Sequence, residues 1–419
     1  MVERLSRELA ARGHEVAVVA GTFEPRPRVE VDESVRDGVR VFTVHRFDLY
    51  FDRWEKTYCP QVSNAFARIL ERVAPEVVHV HQFVRLSRDL VHRATQARVP
   101  AVVTMHDFVS TCLIGFRAPG AGERFCDLLP AYDDCVPCAS TVAPTVPRAA
   151  REEFELLRAD LANELHLARA RFALTQGQRD RLARFHGIAA TAIDVAPLAT
   201  VVDLPRGMPA PEPPPLRAAT WGVQMERKGA HVLIEAARRL PQGAVEVDLF
   251  GRFDDPGYER RCRALAQGLR VRFHGRFAWD ELAASPLHVA VFPSLTFETF
   301  GLTVDEARAL GHPVVATDLG AYAERADAAT LLFPAGDVTA LAGVLTRLAT
   351  RPGELAGLRG AVGPATRFGD LVDRMESAYR KAVADGPPAL SEDRFDPQAH
   401  PDEAEFERRE SVFRAQLAG

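Results

Sequence analysis

Short apolar runs of strand length alternate with segments of helical period along almost the whole chain, and that alternation admits few folds. Residues 15–20, 39–45, 76–81, 100–106 and 171–175 read as strands, with 61–73, 86–96, 147–170 and 178–185 as helices between them. The pattern restarts with strands at 217–222, 244–251, 269–274, 287–292, 313–317 and 330–333 and helices at 228–240, 303–310 and 337–349. Strand, helix, strand repeated this way predicts parallel sheets covered by helices on both faces, the α/β class. Pro205, Pro209, Pro211, Pro213, Pro214 and Pro215 interrupt it, the composition of an extended, semi-rigid linker. A cut there gives a first domain over 1–204, a linker over 205–216 and a second domain over 217–369. Residues 370–384 read as one more helix. The acidic, proline-broken tail 385–419 reads as disordered, with Phe406, Phe413 and Leu417 its one amphipathic hint.

Composition narrows the function classes. The 419 residues suit two ordinary domains, and 47% hydrophobic with 26% charged residues is globular usage. A net charge of −5, from 52 basic against 57 acidic residues, offers no overall attraction to nucleic acid. No apolar run approaches the roughly 18 residues of a membrane span, and the amino terminus has no secretory pattern, which reads as cytoplasmic. Six cysteines in such a chain fit thiols or metal ligands better than disulfides. Neither half opens with Gly-x-Gly-x-x-Gly, which argues against a nicotinamide-linked dehydrogenase on the same architecture.

The chemistry is densest at 293–317. Gly301 permits a tight turn after an apolar strand, and residues 303–310 make a short helix closed by Gly311. Glu298 lies in the loop and Glu306 in the opening turns of that helix, with seven residues between them. In an open parallel sheet, loops at the carboxyl ends of strands line the ligand crevice, and a helix amino terminus offers unpaired N–H groups to an anion. Histidines stand at two other strand ends, in Val77-Val78-His79-Val80-His81 and in Thr104-Met105-His106-Asp107. A satisfied buried histidine accounts for His79; His106 reads as a cleft residue. The turn Trp221-Gly222-Val223-Gln224-Met225-Glu226-Arg227-Lys228-Gly229 puts an ammonium at a helix start.

Phe300-Gly301 between the two glutamates, Glu306-Ala307 and Gly311-His312-Pro313-Val314-Val315, all in one register, resemble the signature of glycosyltransferase family 4. These are retaining enzymes of the GT-B fold, two doubly wound Rossmann-like domains facing a cleft. The resemblance runs from Val2 to about Ala384 and implies that 370–384 crosses back to the first domain. It implies a UDP- or GDP-sugar donor, a hydroxyl acceptor on a glycan, lipid-linked saccharide or small molecule, and no catalytic metal. It places Glu298 by the donor sugar hydroxyls, Glu306 at the ribose, and the amides of Gly301 and Leu302 after Phe300 at the diphosphate. His106 would approach the sugar and diphosphate. Gly222, Arg227 and Lys228 would form the diphosphate turn, with Lys228 stabilising the charge that grows on the leaving nucleotide.

Departures keep a second reading open, a non-catalytic sugar-nucleotide-binding protein. Val223 stands where the family often has a basic residue, and Pro197-Leu198-Ala199-Thr200 replaces an Asn-Gly turn. Val2, Leu5 and Leu9 recur at helical spacing, so the chain opens inside a helix where the family has a strand and a glycine-rich loop. The expectation is a natural start further upstream and a first domain without its first strand. Cys112, Cys126, Cys135 and Cys138 fall in a loop insertion over 109–145, and Cys135-Val136-Pro137-Cys138 has metal-knuckle spacing. Structural zinc, free thiols and a redox pair all fit. Arg179, Arg181 and Arg184 offer a face for acidic acceptors or for peripheral contact with anionic lipid headgroups, or are a plain solvated face.

Overall fold

The computed structural model describes residues 1–48, 58–115, 117, 125–142, 151–200, 203–208, 210–390 and 399–418. Its strands are β1 (Ala17–Gly21), β2 (Glu30–Arg36), β3 (Val39–His45), β4 (Val78–Val80), β5 (Ala101–Thr104), β6 (Ala170–Ala173) and β7 (Asp194–Val195) in the first half. The second half adds β8 (Leu216–Trp221), β9 (Val245–Phe250), β10 (Val271–Gly275), β11 (Val289–Phe292), β12 (Val314–Thr317) and β13 (Thr330–Phe333).

The second half is one parallel sheet in the order β10-β9-β8-β11-β12-β13. From β8 the chain builds outward through β9 and β10, then returns to the other side of β8 with β11. The order therefore reverses between β8 and β11, and a crevice opens beyond the carboxyl ends of those two strands. The segments that emerge there are the 222–229 turn and the 293–301 loop, the two stretches singled out above. Both faces of the sheet are covered: Leu233, Leu249, Val291 and Leu345 are fully buried on one side, and Ala219, Phe250, Ala290 and Leu310 on the other.

The first half divides into two sheets, β1-β3-β2 and the parallel β4-β5-β6-β7. Strands β1 and β4 do not pair, although Gly21 abuts Arg85 so closely that a Cβ there would lie 2.6 Å from the Arg85 Cβ. Strand β2 escapes the apolar-run reading because nearly every residue in it is exposed. Its signal is Asp37-Gly38, both at positive φ (50° and 78°), the two-residue turn that suits an antiparallel hairpin with β3.

The Phe368–Asp385 helix packs against the first half. Its Leu371, Val372 and Met375 are buried with Leu5, Leu9, Val102 and Phe172 of the first half and with Phe300 of the cleft loop. The tail corrects the reading of disorder. A Glu403–Ala418 helix docks on the first domain, Phe406 buries its ring at 5.9 Å from Phe47, and His400 Nε2 lies 2.9 Å from Asp160 Oδ2. Gln61 and Asn64 of the first domain add hydrogen bonds to Glu403 and Glu407 of that helix, where the amphipathic pattern is weak. The side chains of Phe413 and Leu417 lie outside the described residues, as do 147–150 of the expected long helix, whose described part is Arg151–Leu167.

Candidate active site

At the start of the second domain, Gly222 takes φ 111° and its carbonyl oxygen lies where a Cβ on Gly251 would sit, 1.8 Å away. Only glycine at 251 lets the two strand ends close on each other. Gln224, buried, donates to Gly222 O at 3.2 Å and to Phe250 O at 2.9 Å and so fixes the turn. Arg227 anchors the neighbouring loop through its backbone: its carbonyl accepts from Leu295 N at 2.8 Å and from Ser294 Oγ at 3.3 Å. Burial lowers the pKa of its guanidinium, against the charges of Glu298 and Asp254. Lys228 Nζ donates to Glu298 Oε1, which also accepts from Ser294 Oγ at 3.0 Å. The ammonium and the carboxylate predicted for leaving group and sugar thus meet across two separate loops.

The Phe300-Gly301 turn is held from behind. Phe300 is buried, and Arg325 stacks on its ring at 3.8 Å, donates to Phe300 O at 2.8 Å and pairs with buried Asp305 at 2.5 Å. Gly301, at φ 68°, caps the Leu302–Leu310 helix, and a Cβ on it would lie 2.6 Å from a Tyr322 ring carbon. The first amides of that helix have no intrahelical acceptor and point out of its amino end. One turn in, Glu306 is buried and accepts from Trp221 Nε1 at 2.7 Å. Burial pushes its carboxyl up to about 7, with Asp305 adding to the shift and the Trp221 hydrogen bond opposing it.

His106 faces this loop from the first domain. Thr299 Oγ1 donates to His106 O at 2.9 Å, and Thr175 Oγ1 donates to Thr299 O at 3.2 Å. Gln178, fully buried, donates to Met105 O at 3.0 Å and Asp107 O at 3.3 Å, clamping the His106 turn from below. The His106 ring meets His81, with Nε2 3.0 Å from His81 Nδ1, and burial lowers its pKa to about 4. A second bridge closes the cleft: the Glu324 carboxylate accepts from Gln176 N at 2.7 Å and Gly177 N at 2.8 Å, the opening amides of the first-domain helix Gln176–His186. Gly320 is needed beneath it, since a Cβ there would fall 2.5 Å from Glu298 O.

Contacts join Lys228 to Glu298 and, through Thr299, the loop before Phe300 and Gly301 to the backbone of His106, while Leu302 and Glu306 lie on the helix that follows and Gly222 and Arg227 on the turn that carries Lys228. Trp221, Gln224, Ser294, Gln178, Arg325 and Tyr322 hold them and were not singled out from the sequence. Trp221 and Gln224 lie inside the quoted turn, so their positions were visible but their partners, set by the fold, were not.

The cysteines are another matter. Cys135 and Cys138 lie on a helix, Tyr132–Val142, where a loop was expected. Among the described residues no group of three or more His, Cys, Asp and Glu side chains is arranged to hold a metal. Cys135 and Cys138, three residues apart, share one face of that helix, and Cys112 and Cys126 lie near enough to Cys135 to act on its thiol electrostatically. Burial raises the Cys135 thiol pKa, favouring its protonated form. The arginine face is also internally paired, Arg179 with Asp180, and Arg181 and Arg184 with Asp127.

Residues 1–203 match the family model described as Glycosyltransferase Family 4, and residues 218–351 the one described as Glycosyl transferases group 1. The chain belongs to glycosyltransferase family 4. One family relative, a phosphatidyl-myo-inositol mannosyltransferase of Mycobacterium leprae, is 37% identical over 29% of this chain, a stretch that spans only 34% of that protein. Over 81% of this chain and 79% of the other, a 2-deoxystreptamine N-acetyl-D-glucosaminyltransferase of Streptomyces fradiae is 29% identical. Among solved structures, sucrose-phosphate synthase from Thermosynechococcus elongatus superposes with a TM-score of 0.63 at 22% identity, covering 92% of this chain and 93% of that one. Anabaena HepE in complex with UDP and glucose superposes at 0.53 with 15% identity, covering 88% and 99%. Likeness at these identities shows the shared GT-B fold of this family 4 chain. No described helix is long and apolar enough to cross a membrane.

Proposed function

We propose that the chain transfers a sugar from a nucleoside-diphosphate sugar to an acceptor hydroxyl with retention of anomeric configuration. The observation that carries this reading is the contact of Lys228 with Glu298 beside the Gly301-capped helix, at the point where the strand order reverses. A diphosphate at the amino end of the Leu302–Leu310 helix meets outward N–H groups and the Lys228 ammonium, the electrostatics a departing nucleoside diphosphate needs. Glu298, held by Ser294, accepts from the sugar hydroxyls, and Glu306, held by Trp221, accepts from the ribose diol through its other oxygen. With the sugar fixed against His106, the acceptor hydroxyl attacks from the face the diphosphate leaves, and a departing phosphate oxygen takes its proton. No step in this sequence asks a protein carboxylate to act as nucleophile. The names of the relatives, and the UDP and glucose bound in one structural neighbour, support a nucleotide-sugar donor.

The test is a panel of UDP-, GDP- and ADP-sugars against the full chain, read by calorimetry for binding and by anomer-resolved product analysis for transfer. One donor that binds, with transfer giving the donor's own anomeric configuration, is the expected result. Lys228→Ala should then keep donor binding within about tenfold and lower turnover by about a hundredfold or more. Saturable binding without transfer or donor hydrolysis would turn the reading to a non-catalytic binding protein. An inverted product would remove the same-face mechanism.

A further inference from the structure

His79 in β4 and His81 just past its end stand on one face, two residues apart, with ring centroids 3.8 Å apart and planes tilted by 34°. The row continues across the sheet to His106, whose ring lies 5.3 Å from that of His81 at 29°. Both nitrogens of His79 are taken, Nδ1 by the Tyr379 hydroxyl at 2.6 Å and Nε2 by Thr104 Oγ1 at 2.8 Å. His79 is thereby a fixed wall against which His81 stacks. The backbone of His106 is gripped by Gln178 and Thr299, so the torsions that aim its ring are the freedom left to it, and its one ring hydrogen bond goes to His81.

Resting on the proposed transferase reading of this cleft, we infer that His81 is a positioning residue that sets the tautomer of His106, donating its Nδ1–H to His106 Nε2. Two neutral imidazoles in contact through Nδ1 and Nε2 share one proton, so either His81 or His106 donates. If His81 donates, His106 carries its proton on Nδ1, a nitrogen with no hydrogen-bond partner among the described residues, and presents an N–H to the cleft. If His106 donates, it presents a lone pair instead. The oxygens of an ionised diphosphate only accept, so a ring serving the leaving diphosphate must present the N–H. Burial keeps the row neutral as this requires, lowering His79 to about 3, His106 to about 4 and His81 well below its ordinary value. His81 does not itself touch substrate; its effect passes through His106.

The deciding experiment is ¹⁵N NMR of the histidine rings in the full chain at neutral pH, with no substrate present, so that it stands apart from any failure of the transferase reading. The expected result is His106 as a single tautomer with its proton on Nδ1. His81→Leu should move it to the averaged pattern of a free imidazole, and His81→Asn, whose amide N–H can replace imidazole Nδ1–H, should restore it. His106 protonated on Nε2 in the unaltered protein overturns the inference, even if the leucine variant fails to fold. So does a folded leucine variant with the His106 pattern unchanged. In turnover, His81→Leu should lower kcat by about ten- to a hundredfold with donor KM within about twofold, and asparagine should recover most of it. In a His106→Ala background the same leucine change should cost nothing further; an undiminished additional loss would assign His81 a role of its own.

Discussion

Glu306 answers two demands that conflict. It is buried against Trp221, which costs it ionisation, yet it must be a carboxylate to accept from a diol. With its carboxyl at about 7 in the free protein, donor affinity should weaken about tenfold for each pH unit below about 7 and level off above it, measurable by calorimetry across pH. The same shift carries a stability statement of opposite sense. A carboxyl whose folded pKa is raised holds more protons folded than unfolded between its ordinary value and about 7, so stability falls as pH rises through that window. Glu306→Gln should therefore melt with the unaltered protein at pH 4 and above it at pH 8, by up to about 3 kcal/mol, while losing donor binding. A glutamine variant less stable at pH 8 would show that the carboxylate is compensated by contacts beyond Trp221. The sequence placed Glu306 correctly in register; its indole partner lies 85 positions away and only the switch in strand order brings the two together.

At the scale of elements, the 293–310 loop and helix were the most legible part of the chain. Their local rules agree: an apolar strand, a glycine at φ 68°, a nine-residue helix and a closing glycine at φ 79°. Less legible was what backs the turn, since Tyr322 and Arg325 reach it from the next crossover. Gly301→Ala should be costly twice, for the left-handed backbone and for the methyl set 2.6 Å from the Tyr322 ring. We expect about 1–3 kcal/mol lost in urea unfolding and at least about a tenfold loss in nucleotide affinity. Strand β2 and the helix Tyr132–Val142 were not legible, the first because its residues are solvated on both faces, the second because Cys-x-x-Cys with an internal proline reads as loop. In both, turn geometry or tertiary packing decides what apolar periodicity does not.

Over the whole molecule, the strand–helix rhythm and the proline break suggested the two-domain plan, and the returning helix was suggested only by the family resemblance. The docked tail was suggested by neither, because an aromatic, a histidine in a buried polar cluster and scattered side-chain hydrogen bonds hold it in place of an apolar stripe. Phe406→Ala should release the Glu403–Ala418 helix, seen as new proteolytic cleavage after residue 399 and a lower melting temperature; a variant as protected as the parent would mean the helix is held elsewhere. Across the cleft, Glu324→Ala should speed hydrogen exchange at the Gln176 and Gly177 amides and widen the small-angle scattering profile, leaving the melting temperature within a few degrees. Unchanged exchange at those amides would mean that other contacts between the halves, among them Phe297 against Phe108 and Thr299 on His106 O, hold the cleft in place without Glu324.

The chain passes between its halves twice, once through the proline-rich linker and once through the Phe368–Asp385 helix, and the linker itself is pinned, Gly207 N to Leu310 O at 2.7 Å and Met208 N to Ala283 O at 2.8 Å. Two bodies joined at one point can swivel in any direction, as on a ball joint. Joined along two separate crossings they turn like a door, about the line through both, so that whatever enters or leaves the cleft does so along the same arc.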